Sequence, residues 1–261
     1  MTTDWSEGQR HIANVDPKLA ALMERVGPCT MGRPGLSIFY SLARSIVYQQ
    51  LAGKAAAAIM ARVDALFGEG PCAAEHIAEA SEEKLRGAGL SQAKMLALKD
   101  LAAKALDGTL PTEDEMCSMR DEEIIERVTK VRGIGRWTVE MLLMFRLCRP
   151  NVLPTDDYGV RKGIQLLYGM RELPTKEQML RRGKKWHPWR SVASWYMWRV
   201  LELPENQKRR TSAKRTAKKS KTTAQRKAGK NKTSKTAASG FAKTRSTKKT
   251  RARKTDGSTT S

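Results

Sequence analysis

No stretch of this chain approaches the roughly 20 apolar residues that a membrane span requires, which argues against an integral membrane protein. The start, Met-Thr-Thr-Asp-Trp-Ser-Glu, lacks the basic-then-apolar order of a secretory signal, so a soluble intracellular protein is expected. Cysteine is scarce and dispersed. Cys29, Cys72, Cys117 and Cys148 share no Cys-x-x-Cys spacing, which counts against both a disulfide framework and a zinc site. The three histidines, His11, His76 and His187, are scattered too and point to neither a catalytic base nor a metal site. From Asn206 onward acids and aromatics almost vanish, leaving only Asp256 and Phe241. Such a segment cannot bury enough apolar surface to offset the entropy of ordering, so residues 205–261 are expected to form a disordered tail.

What the tail has instead is positive charge. From Asn206 onward it holds 20 of the chain's 49 lysines and arginines and one of its 27 acidic residues, so +19 of the net +22 lies there and only +3 in residues 1–205. The natural partner of such a tail is a polyanion. Residues 1–204 are long enough for one compact unit with a sizeable core, or for two lobes of one.

Through this body the apolar residues recur at helical spacing and no alternating strand pattern stands out, so an all-α fold with short connections is expected. Asp16-Pro17 reads as a cap and first turn for a helix that stops at Gly27-Pro28. Further helices are expected from Ile38 to Tyr48 and over Lys54–Phe67, with Gln49–Gly53 forming the tip between them. Others are expected over Glu75–Leu85, Lys94–Leu106, Asp121–Lys130, Trp137–Cys148, Asp157–Leu167, Glu177–Lys184 and Pro188–Leu203. In the last, Trp189, Val192, Ala193, Tyr196, Val200 and Leu203 define a buried stripe, and Trp198 falls nearly opposite it at about 100° per residue. A large aromatic in that position needs a second packing partner or a cleft. Trp186, Trp189 and Trp195 read as structural.

The densest chemistry lies in residues 131–165. Gly133-Ile134-Gly135 is a short hairpin whose glycines permit angles other residues resist, with Ile134 turned inward and amides aimed outward at the next helix start. It can cradle a phosphate, or be a plain tight turn. About twenty residues later, Pro154-Thr155-Asp156-Asp157-Tyr158 sets two carboxylates before another helix. Asp157 reads as a helix cap, with Asp156 or Thr155 the more literal one, or as a site carboxylate able to stabilise developing positive charge. Trp137 and Met141 lie four apart on one helix face, and an aromatic beside a thioether suits an electron-poor, positively charged base. Apolar packing is the alternative for Met141.

Hairpin, tryptophan and Asp-Asp-Tyr, in this order and spacing, resemble the helix-hairpin-helix DNA glycosylases, and within them the alkylation-repair branch of 3-methyladenine DNA glycosylase II. The resemblance runs from about Leu36 to Leu203. It implies a two-lobed helical fold, with lobes of about 36–144 and of 1–35 with 145–204. It makes Asp157 the catalytic carboxylate, Trp137, Met141 and Trp198 the base pocket, and Gly133, Ile134 and Gly135 a phosphate-binding hairpin. It also assigns Leu51 as the wedge that fills the gap left by a flipped nucleotide, with Gln50 beside it at the opposite strand. Strand-cleaving relatives carry a lysine nucleophile where this chain has Trp137, and Arg136 next door is a poor substitute because a guanidinium stays protonated. A monofunctional enzyme using water follows. The best-known relative has tyrosine at the position of Met141, which leaves the breadth of substrates open.

The resemblance further implies no cofactor beyond a monovalent cation at the hairpin–phosphate contact. No iron–sulfur cluster is expected, since no cysteine follows Cys148. With so short a start, the N-terminal β-rich domain that some relatives carry is not expected. The expected activity is excision of alkylated purines, 3-methyladenine first, with 7-methylguanine and hypoxanthine as further candidates, by a monomer acting on double-stranded DNA. The expected location is the cytoplasm and nucleoid of a bacterium or the nucleus of a eukaryote. Two rivals are an architectural, DNA-compacting protein without catalysis and a glycosylase for oxidised or mismatched bases.

Overall fold

In the computed structural model, residues 4–32, 35–68 and 70–208 are described. They are helical throughout, with no strand among them. The first helices are α1 (Ser6–Val15), α2 (Pro17–Val26), α3 (Ile38–Tyr48) and α4 (Gly53–Ala65). Then come α5 (Ala74–Glu79), α6 (Glu82–Gly87), α7 (Gln92–Leu106), α8 (Glu113–Ser118) and α9 (Asp121–Val128). The last four are α10 (Arg136–Phe145), α11 (Tyr158–Tyr168), α12 (Lys176–Gly183) and α13 (Arg190–Glu202).

Short polar side chains set most of the starts. Asp16, Ser37, Ser81, Ser91, Thr112, Asp157 and Thr175 each accept a backbone N–H in the first turn of the helix they precede. Two departures from expectation follow from this. Ser81 caps a new helix and so divides the segment expected as one from Glu75 to Leu85, while Thr112 and Glu115 form a capping box that opens α8, a helix not expected. Helix α1 was likewise unforeseen. Only two of its residues, Gly8 and Ile12, are buried, too few for a clear apolar period.

The helices pack in two groups. In one, α7 contacts α3, α5 and α6, α4 packs on α3, and α10 joins them through α3 and carries α9. In the other, α13 is central and touches α1, α2 and α11, so the first two helices close on the last. That central position explains why α13 departs from the single-stripe expectation. Ser191, Ser194, Trp195 and Met197 are buried as well as Val192, Ala193, Tyr196 and Val200. The axes of α11 and α13 lie close because Gly163 has no side chain: a Cβ there would stand 2.2 Å from the Met197 carbonyl oxygen. Arg146, just after α10, donates to the Leu36 carbonyl ahead of α3 and pairs with Glu113 of α8.

Helices α1 to α13 belong to one compact unit that ends at Leu203. Residues 204–208 make one further helical turn, so the backbone stays regular past the boundary expected at 205. The rest of the expected tail lies outside the described residues. Among the described residues no helix is long and apolar enough to cross a membrane.

Candidate active site

The hairpin between α9 and α10 is built as its sequence implies. Gly133 takes φ +77°, a left-handed angle that L side chains adopt rarely, and Ile134 turns into the core while its N–H bonds the Val131 carbonyl at 3.1 Å. Gly135 then serves as the N-cap of α10 without any side-chain cap, so the leading amides of that helix remain available to an external anion. Asp100 steadies the approach by accepting the Arg132 N–H at 2.7 Å.

The tip between α3 and α4 lies beside this hairpin. Gln49 donates its side-chain amide to the Gly133 carbonyl at 2.8 Å. Lys94 closes the end of α3 from the other side, its Nζ donating to the Val47 and Gln49 carbonyls at 2.5 and 2.8 Å. The next residue, Gln50, is exposed and takes φ +58°, an angle uncommon for a side-chain-bearing residue. Leu51 follows with 40% of its surface open. An apolar side chain is thus held out on a fastened tip.

Asp157 is where the elements converge. It is itself the cap of α11, its Oδ1 accepting the Val160 N–H at 2.7 Å, which corrects the assignment of that role to Asp156 or Thr155. The same oxygen accepts the Trp198 indole N–H at 2.8 Å, and Oδ2 accepts the Trp137 indole N–H at 2.7 Å. Both indoles expected in the base pocket therefore hold one carboxylate, a bond pattern not foreseen from residue types. Only 9% of Asp157 is exposed, whereas Trp137 is 48% exposed and stands over it at the surface. Gly159 makes the arrangement fit, because a Cβ there would lie 2.6 Å from the Trp198 ring.

From Trp137 the same face of α10 runs on through Met141 and Phe145, at steps of four residues. Met141 is half-buried, so it both packs on the core and lines a cavity of about 270 Å³. Phe145, which the sequence reading passed over, lines it too, and its ring centroid lies 5.6 Å from that of Trp198. The facing wall comes from α3 and includes Ser41, Arg44 and Ser45.

Arg136, excluded as a nucleophile, is fully engaged. It grips Glu122 through two bonds of 2.9 and 2.6 Å and reaches Glu140 at 3.2 Å. Glu140 is buried, and that burial raises its carboxyl pKa against the pull of Arg136, with Asp156 and Glu122 adding to the rise. Among the described residues, no three His, Cys, Asp or Glu side chains are grouped to hold a metal ion.

Comparison with known proteins bears on this site directly. The family described as HhH-GPD superfamily base excision DNA repair protein matches residues 43–188, a span that holds the tip, the hairpin, Trp137 and Asp157. The chain belongs to the HhH-GPD superfamily. A relative named DNA-3-methyladenine glycosylase 1, from Schizosaccharomyces pombe, is 35% identical over 80% of this chain and 92% of its own. A solved structure of the S. pombe 3-methyladenine DNA glycosylase Mag1 in complex with abasic DNA superposes with a TM-score of 0.67, at 35% identity over 76% of this chain and 98% of that one. The DNA-3-methyladenine glycosidase of Bacillus halodurans superposes at 0.70, with 34% identity over 78% and 92%.

Within that superfamily frame, three features escaped the sequence reading: Phe145, Lys94 and the bond that ties Gln49, expected at the tip, to the hairpin. Phe145 had a readable signal, since it continues the four-residue steps of Trp137 and Met141. The Gln49 bond and the Lys94 clamp had none, because the partners lie 84 and at least 45 residues away.

Proposed function

We propose that the protein is a monofunctional DNA glycosylase of base excision repair, releasing alkylated purines, 3-methyladenine foremost, from double-stranded DNA. The observation that carries this reading is the Asp157 carboxylate, fixed by two indole N–H groups and one helix amide at the foot of an aromatic wall. Breaking an N-glycosidic bond leaves positive charge on the sugar. A pre-positioned carboxylate stabilises that charge without having to reorganise, and the same carboxylate orients a water for attack. N-alkylated purines are already cationic and leave readily, so an electrostatic stabiliser and a positioned water suffice, with no covalent nucleophile required. The place where a lysine would act is held by Trp137.

The remaining parts serve the extrusion of the base. Hairpin amides at the start of α10 anchor a backbone phosphate regardless of sequence, and Leu51 fills the stack with Gln50 alongside. A monovalent cation fits the hairpin, because the Val131 and Gly133 carbonyls each accept one hydrogen bond and keep a second lone pair. No other cofactor is invoked, and the protein acts as a monomer. Excision of 7-methylguanine and hypoxanthine belongs to the same proposal.

The test is to incubate the protein with methylated duplex DNA and to quantify released bases and strand breaks separately. Release of 3-methyladenine with strands intact is the expected result. Strand cleavage coupled to release would overturn the monofunctional assignment, and DNA binding without any release would favour an architectural protein.

A further inference from the structure

The cavity beside the site is chemically lopsided. Its α10 wall is apolar, with Met141, Leu142 and Phe145, while its α3 wall carries Ser41, Arg44 and Ser45. Both serines donate their hydroxyl protons within the helix, to the Ser37 and Ser41 carbonyls at 2.9 Å each. Arg146, the second cation on the cavity, is committed to Leu36 and Glu113. Arg44 is different. Among the described residues neither a carboxylate nor a carbonyl accepts from it, and its guanidinium lies over the Tyr48 ring, 4.2 Å from the centroid. Arg44 lines the cavity, and stacking on a ring face leaves the in-plane fork of N–H donors of a guanidinium open to a ligand there.

We infer that Arg44 sets the lesion preference of the enzyme, its donor fork reading the O6 and N7 acceptors of a neutral 6-oxo purine such as hypoxanthine. The inference rests on the glycosylase reading given above. Because Trp137, Met141 and Phe145 share one face of α10, the aromatic wall over Asp157 continues into the cavity. A purine stacked along that wall turns an edge toward α3. An arginine fork matches the paired O6 and N7 acceptors of a 6-oxo purine. Adenine alkylated at N3 offers an amino donor at position 6 instead, and while attached to the sugar it is cationic. Arg44 therefore opposes it twice, by a donor facing a donor and by like charge. Asp157 at one end of the wall favours the cationic lesion, and Arg44 at the other extends the pocket to a neutral one.

The experiment compares single-turnover release of hypoxanthine and of 3-methyladenine from duplex DNA by wild type, R44A and R44K. Active enzyme is counted by titration with abasic-site DNA, and folding is checked by thermal melting. The ratio of hypoxanthine to 3-methyladenine release is expected to fall about 5- to 100-fold in R44A, the range that one bidentate base contact commands. R44K keeps the charge without the planar fork and is expected to fall in between. An unchanged ratio overturns the inference, whether the two rates drop together, as for a structural role, or binding to undamaged DNA weakens with a shallower salt dependence, as for a phosphate contact. Wild type that releases 3-methyladenine but no hypoxanthine also overturns it, and leaves the glycosylase reading standing. Wild type that releases neither base overturns both.

Discussion

The side-chain amide of Gln49 donates to the backbone carbonyl of Gly133 at 2.8 Å, so the tip that presents Leu51 is fastened to the hairpin proposed to anchor the DNA backbone. Anchor and wedge then move as one body. In Q49A the tip keeps its Lys94 clamp but loses its register with the hairpin. Excision from fully paired duplex is expected to fall about 3- to 10-fold, the worth of one hydrogen bond of about 1 kcal/mol. A lesion opposite a mismatched base flips at lower cost, so the deficit should shrink on mispaired substrate. Single-turnover rates on the two substrates check this, and equal deficits would mean that Gln49 acts elsewhere.

Asp157 has two duties that one substitution separates. Asparagine still caps a helix, so D157N is expected to fold and melt close to wild type. It loses the negative charge that the proposed mechanism sets against the sugar, and release of 3-methyladenine is expected to drop by about 10²- to 10³-fold, as for other pre-positioned electrostatic groups. DNA affinity measured by anisotropy should persist. Retained excision in a well-folded D157N would remove Asp157 from the mechanism.

Trp198 supports Asp157 through its indole N–H, at 2.8 Å, and packs its ring near Phe145. W198F keeps an aromatic ring and removes the donor. Its excision rate is expected to fall about tenfold, the effect of losing one hydrogen bond to a charged group, while substrate binding changes little. G159A probes the same contact from below, since a methyl there collides with the Trp198 ring. A W198F rate equal to wild type would show that ring packing, and not the hydrogen bond, is what Trp198 supplies.

How far these features can be read from residue order depends on how local they are. The hairpin, Trp137 and Asp157 fall within 25 residues, and each uses a backbone device with a strong residue preference: a left-handed glycine, a helix start, a cap. Helical periodicity set Trp198 apart from the buried stripe and the resemblance placed it in the base pocket, although α13 proved buried on more than one side. Periodicity could not supply the bonds. That both indoles meet the same carboxylate depends on how α10, α11 and α13 cross, which is set by small contacts such as Gly163 against Met197. The bond from Gln49 to Gly133 and the part played by Arg44 were invisible for the same reason, since a polar residue at a helix end or face reads as solvated until its neighbours across the chain are known.

The tail prediction rests on charge alone, because residues 209–261 lie outside the described structure. Truncation after Lys208 removes nearly all of the +19 that the tail carries. Each lysine or arginine that neutralises a phosphate steepens the fall of affinity with salt. The truncated protein is expected to bind undamaged duplex DNA with a markedly shallower dependence of log affinity on log salt, while single-turnover excision at saturating enzyme is retained. An unchanged salt slope would mean that the tail does not touch DNA.

Asp16 predicts how the fold responds to acid. It is buried in the second helix group and accepts bonds from Tyr168 Oη at 2.5 Å, Lys185 Nζ at 2.9 Å and Trp186 Nε1 at 3.0 Å, besides capping α2. Burial pushes its pKa up, but the bonds from Tyr168, Lys185 and Trp186 together outweigh it and hold the carboxyl below its ordinary 3.8. With the folded value depressed, the unfolded chain takes up the proton first as pH falls. The stabilisation is therefore complete above about pH 5, a unit past the ordinary carboxyl value, and drains away as pH drops through the folded value. D16N is expected to be less stable than wild type at pH 7 by about 1–3 kcal/mol, the cost of leaving buried donors poorly matched. That gap should narrow steadily below about pH 4. Denaturant melts of both proteins from pH 7 to pH 3 test the idea, and a gap that stayed constant to pH 3 would show that the charge of Asp16 contributes nothing to holding α2, α11 and the turn after α12 together.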